Sequence, residues 1–221
     1  MCILPNRFIL IFVHVCLMSF LLSGCQTVYY EAMEKAGYHK RDILTDRIED
    51  ARDSQEDAKE QFESALERFS SVIQFEGGDL QEKYDTLNRE FKRCEARSDE
   101  VSDRIRAVED VSGALFEEWE DELGQYSSAS LRRSSEQKLR KTRQEYNKLI
   151  IAMKRAEKKI DPVLATFRDQ VLFLKHNLNA KAISSLRNEL SIVEADVSVL
   201  VREMESSIQA ADTFIHSMAQ E

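Results

Sequence analysis

Four segments of this chain carry apolar residues spaced alternately three and four apart, and glycine and proline hardly interrupt them. The first seam runs Leu44, Ile48, Ala51, Gln55, Ala58, Phe62, Ala65, Phe69, Val72. A helix brings residues three and four apart onto one face, so each seam is a stripe that must be buried against another helix. The second runs from Leu80 and Tyr84 through Phe91, Cys94, Val101 and Ile105 to Leu115 and Trp119. The third runs from Leu139 and Thr142 through Tyr146, Met153 and Ile160 to Val171, Leu174 and Leu178. The fourth comprises Ile183, Leu186, Leu190, Val193, Val197, Leu200, Met204, Ile208, Ala211, Ile215 and Met218. Gly77-Gly78 makes one break, and Gly124 with Ser127, Ser128 and Ser130 another.

The pattern predicts helices over about 40–76, 79–123, 131–177 and 180–219. Similar lengths and short connections favour antiparallel neighbours. The expected fold class is therefore all-α: an elongated antiparallel bundle of about four long helices with coiled-coil-like packing. Two splayed hairpins are the alternative. Asp161-Pro162 coincides with the single four-plus-four step of the third seam, Val163–Phe167–Val171. A kink is expected there, because proline removes a helical hydrogen bond. Otherwise Asp161 caps a new helix with Pro162 in its first turn.

The N-terminus carries a different signal. Arg7 precedes an apolar run from Phe8 to Leu22, shorter than the roughly 20 residues a membrane span requires but suited to a secretory leader. Leu22-Ser23-Gly24-Cys25 then resembles the lipobox of bacterial lipoproteins. The thiol supplies the nucleophile for acylation, and the small residues before it give a peptidase access to the backbone. The resemblance implies a signal peptide over 1–24 and a palmitate-bearing, lipidated N-terminus with a short tether over 25–39, ahead of a helical domain over 40–219. It also implies membrane attachment through acyl chains on Cys25, since several chains anchor far more firmly than one. Gln26 stands where an aspartate favours inner-membrane retention, so the expected location is the periplasmic face of the outer membrane.

Charge and cysteine usage narrow the function classes. The net charge is −9, and removing residues 1–24 takes away one base and no acid. A chain this acidic is no nucleic-acid binder. Beyond Cys25 there is only Cys94, on the second seam between Phe91 and Val101, where a free cysteine is a small buried hydrophobe. His39, His176 and His216 lie on three separate segments, so neither a metal site nor any cofactor is expected. No phosphate loop or nucleophile elbow occurs, and no catalytic residue is assigned.

The tract Pro162-Val163-Leu164, with 169–180 (DQVLFLKHNLNA), Tyr29-Tyr30-Glu31 and the Gly37-Tyr38-Lys40-Arg41 region, resembles a bacterial lipoprotein family known as domain of unknown function 2959. The likeness covers nearly the whole mature chain. It implies an all-helical envelope lipoprotein and no established activity.

Two surfaces are candidates for contact. Leu172 and Phe173 are apolar yet off the seam, so Phe173, Lys175, His176 and Asn177 are candidate partner-binding residues, with widening of the core as the alternative. The basic block 132–143 faces two uses. It can pair with the acidic block Glu117, Glu118, Glu120, Asp121 and Glu122 across the turn, or Arg132, Arg133 and Arg140 can meet lipid head groups. The expected function is a non-enzymatic structural or docking role with an envelope protein as partner, the alternative being a membrane-surface or lipid-binding bundle using the basic block. Long seams also permit a homo-oligomer.

Overall fold

The computed structural model describes residues 30, 33, 37–74 and 79–220. The signal-peptide residues and the lipobox Leu22, Ser23, Gly24 and Cys25, like Gly77-Gly78, lie outside the described residues. The chain divides into two compact units, Met1–Ile43 and Leu44–Glu221. The second holds the helical bundle.

Among the described residues the architecture is four long helices and no strand. They are α1 (Lys40–Gln74), α2 (Leu80–Leu123), α3 (Ala129–His176) and α4 (Ala180–Ala219). At about 1.5 Å per residue they run roughly 50–70 Å. The last three start where a polar side chain satisfies a backbone N–H that has no helical partner. Asp79 accepts from Gln81 N at 2.8 Å, Ser128 from Leu131 N at 3.5 Å and Asn179 from Ala182 N at 3.0 Å. Ser128 explains why α3 begins two residues earlier than the seam suggests. α3 continues through Pro162 as a single helix, so Asp161 does not start a new one.

The helices form one antiparallel four-helix bundle rather than splayed hairpins. Arg104 meets Asp50 and Arg97 meets Asp57, so α2 descends along α1 as α1 rises. Lys154–Glu109 and Arg168–Glu95 run oppositely on α2 and α3, and Arg155–Glu203 with Thr166–Asp196 does the same for α3 and α4. Arg52–Asp212 and the bond from Arg187 to Ile73 O close the ring between α4 and α1. The second contact places a guanidinium on a terminal carbonyl of α1, where the helix dipole favours a cation.

The seams are the core. Leu44, Ile48, Phe62, Val101, Ile105, Leu149, Met153, Leu186 and Leu200 are buried, and Cys94 with them. Phe62 and Phe167 stack across the bundle with centroids 6.4 Å apart, and Phe69 meets Phe167 at 6.3 Å. Some seam positions are corrected, and Tyr84, Trp119 and Leu190 are only half-buried. Ile73 is buried in place of Val72, and Ser207 and Phe214 in place of the half-buried Ile208 and Ile215. Leu178 is exposed because α3 stops at His176.

Burial pushes the Cys94 thiol from near 9 up to about 12, with the Gln61 carbonyl 3.9 Å from Sγ. The folded state therefore holds a proton that the unfolded chain releases. The stabilisation is complete below about pH 9 and is lost as pH rises toward 12, on the order of 1 kcal/mol by pH 10. Urea midpoints at pH 7 and pH 10 are expected to diverge more for the parent chain than for Cys94→Ala. Burial also raises the Tyr146 hydroxyl, which bonds Ser112 and shifts stability in the same direction in both chains.

Candidate docking surface

Three helices of the bundle are acidic and one is basic. α3 bears thirteen Lys and Arg against five Asp and Glu, whereas acids outnumber bases ten to six on α1, fourteen to seven on α2 and six to three on α4. α3 lies between α2 and α4, and its flanks use part of that charge. Arg143 meets Glu120 at 2.6 Å, Lys154 meets Glu109 at 2.7 Å, and Arg155 meets Glu203 at 2.6 Å. The acidic block at the end of α2 thus pairs with the basic block across the turn, through Glu120 and Arg143. The Arg143 guanidinium holds the Glu120 carboxyl below the usual carboxylate range and lies 5.0 Å from the centroid of the Phe116 ring. Trp119 belongs to the same junction, half-buried and donating Nε1–H to Ser135 at 2.8 Å. Arg143→Ala is expected to return Glu120 toward its ordinary titration, with a change in melting temperature within error because the pair is exposed. Carboxyl NMR through an acid titration checks this.

The remaining charge points outward. Arg140 is paired with Glu136 on its own helix at 2.9 Å, but Arg132, Arg133, Lys158 and Lys159 are exposed and have no ion pair among the described residues. Along the outer side of α3, Ile151, Arg155, Lys158, Pro162, Ala165, Asp169, Leu172 and His176 are all exposed and recur every three or four positions. This second stripe lies opposite the buried one. Ile151 is 64 % exposed, Leu172 47 % and Phe173 40 %, so the largest apolar side chains left in solvent fall on the one basic helix more than on any other. Beside Pro162 the surface dips into a hollow of about 540 Å³ edged by Ile150, Ile151, Lys154, Lys158 and Lys159.

The tract 173–177 divides. Phe173, Lys175 and His176 stand in solvent. Asn177 is half-buried and closes α3, its backbone N–H bonding Leu174 O at 3.1 Å and its side-chain amide donating to Phe173 O at 2.9 Å. It is a helix cap, and its side chain is committed. Ile151, Lys158 and Lys159 were not visible as a surface in the seam pattern. The available signal was the net charge of each segment taken separately, together with the Ile150-Ile151 doublet, of which one member must lie off the seam.

Among the described residues, no group of three or more His, Cys, Asp or Glu side chains is placed to hold a metal ion. A gap in the core between Phe69, Phe91 and Phe167 measures about 10 Å³, at the lower limit for one water. No described helix is long and apolar enough to cross a membrane. The family model described as protein of unknown function (DUF2959) matches residues 29–218. No curated protein and no solved structure matches the chain.

Proposed function

The chain belongs to the family described as protein of unknown function (DUF2959), and from that premise we propose that it is a lipid-anchored envelope protein whose bundle serves as a structural or docking element rather than an enzyme. One observation carries the reading: Leu22-Ser23-Gly24-Cys25, placed after an apolar leader and ahead of a helical bundle. Acyl chains on Cys25 fix the protein to the outer membrane, on its periplasmic face, and leave the helical surfaces to meet a partner. The bundle suits that role. Its core is filled by its own side chains, so its recognition chemistry lies on the outer helix faces, where partner helices and surfaces are met.

Growth with labelled palmitate, followed by membrane separation and N-terminal mass measurement, tests the reading. The mature protein is expected to begin at an acylated Cys25, to carry label and to sediment with the outer membrane. Cys25→Ser is expected to lose the label and the mass increment. An unmodified N-terminus in the parent chain would overturn the anchor.

A further inference from the structure

We propose that the outer face of α3 is a membrane-contact surface that lies against anionic phospholipid head groups. The inference deepens the docking role and rests on it for the setting. The surface itself rests on the bundle alone.

Charge selects the occupant. In a chain of net charge −9, the one helix with a large excess of cations also leaves Arg132, Arg133, Lys158 and Lys159 without an ion pair among the described residues. The flank cations are already engaged with α2 and α4. What remains outward is therefore cationic in excess, and it attracts a surface rich in negative charge.

The apolar residues select between a bilayer and a protein. Protein interfaces gather their energy in a small cluster packed into a facing pocket. Here Ile151 stands about 30 Å along the helix, at its 1.5 Å rise, from the neighbouring Leu172 and Phe173, with Lys158, Lys159, Pro162 and Asp169 between them. Apolar side chains spread along a helix face with a cationic excess match the boundary between head groups and acyl chains. Each side chain inserts on its own there, and lysine and arginine stems lie along the surface. The hollow beside Ile151, Lys158, Lys159 and Pro162 is open; its one acid, Glu109, is paired with Lys154 and Arg155 with Glu203, which leaves Lys158 and Lys159 to meet a phosphodiester head group. A lipid anchor on the same molecule raises the local concentration of that surface, so weak individual contacts suffice.

Photocrosslinking on the full-length gene product, purified as the cell processes it, tests the proposal. Ile151→benzoylphenylalanine is compared with Ala96→benzoylphenylalanine, an exposed position on acidic α2. Each protein is reconstituted into vesicles of phosphatidylcholine alone, and of phosphatidylcholine with phosphatidylglycerol. The expected result is a phospholipid adduct at position 151 that requires phosphatidylglycerol, is much stronger than at position 96 and falls at high salt. Lys158→Glu combined with Lys159→Glu is expected to bring the adduct down to the level at position 96 with helicity unchanged, since both side chains are exposed. Equal adducts at the two positions, or in both lipid mixtures, would overturn the proposal. So would a protein adduct at position 151, which would assign the face to a second copy. The N-terminal mass of the same sample reports separately on Cys25, so loss of the anchor is not confused with loss of the surface.

Discussion

Phe167→Ala is expected to melt far below the parent protein. Phe167 is 4 % exposed and is the aromatic on α3 that both Phe62 and Phe69 of α1 meet, at 6.4 and 6.3 Å between centroids. α1 and α3 lie diagonally across the bundle, so the ring fills the middle of the core rather than one pairwise seam. Removing it deletes buried apolar surface and leaves a void between helices held apart by their other seam residues. The adjoining gap of about 10 Å³ shows how little slack exists at this level. Phenylalanine-to-alanine changes at such sites cost about 3–5 kcal/mol, which lowers the melting temperature of a unit this size by about 6–20 °C. Phe173→Ala, six residues further on the same helix but exposed, is the control and is expected to stay within about 0.5 kcal/mol of the parent. Circular dichroism melts decide it. Equal shifts for the two variants would mean that the ring at position 167 is not in the core.

The contrast between those phenylalanines also shows what the sequence reveals and what it hides. Helix positions were legible because each seam needs a partner, and Asp79, Ser128 and Asn179 cap three of the four starts. Finer positions were not. Strict three-four alternation from Leu200 and Met204 leads to Ser207, Ala211, Phe214 and Met218, all buried, but the apolar Ile208 and Ile215 beside Ser207 and Phe214 masked it. The outer face of α3 was hidden for a different reason. Apolar residues read as core unless a second stripe is sought, and Ile151 falls in the Ile150-Ile151 doublet beside Leu149 and Met153 of the seam. The charge of α3 was dispersed along 48 residues. Only with α2 and α4 on either side do the paired cations separate from the unpaired ones.

The second large effect runs the other way: Gln55→Leu is expected to stabilise the protein. Gln55 is fully buried, and neither its Oε1 nor its Nε2 has a hydrogen-bond partner among the described residues. Arg52–Asp212 sets this stretch of α1 against the part of α4 that carries Ser207, whose buried hydroxyl is likewise without a partner, as is that of Ser54. A polar level therefore interrupts the apolar core between Ala51, Ala58, Met204 and Ala211. An unpaired buried polar group costs about 1–3 kcal/mol, while an apolar side chain of similar size has no such penalty. Leucine at 55 is therefore expected to raise the melting temperature by about 2–10 °C. A polar residue in a heptad seam is known to fix register and the number of strands at the expense of stability. The variant is accordingly expected to gain stability and lose discrimination, forming species larger than the parent in sedimentation velocity. Combining it with Ser207→Ala should give a gain that is not the sum of the two, because the side chains share one level. A melting temperature at or below the parent's would show that the amide is satisfied, by a bound water or otherwise, and that the level is an internal polar site rather than an unpaired one.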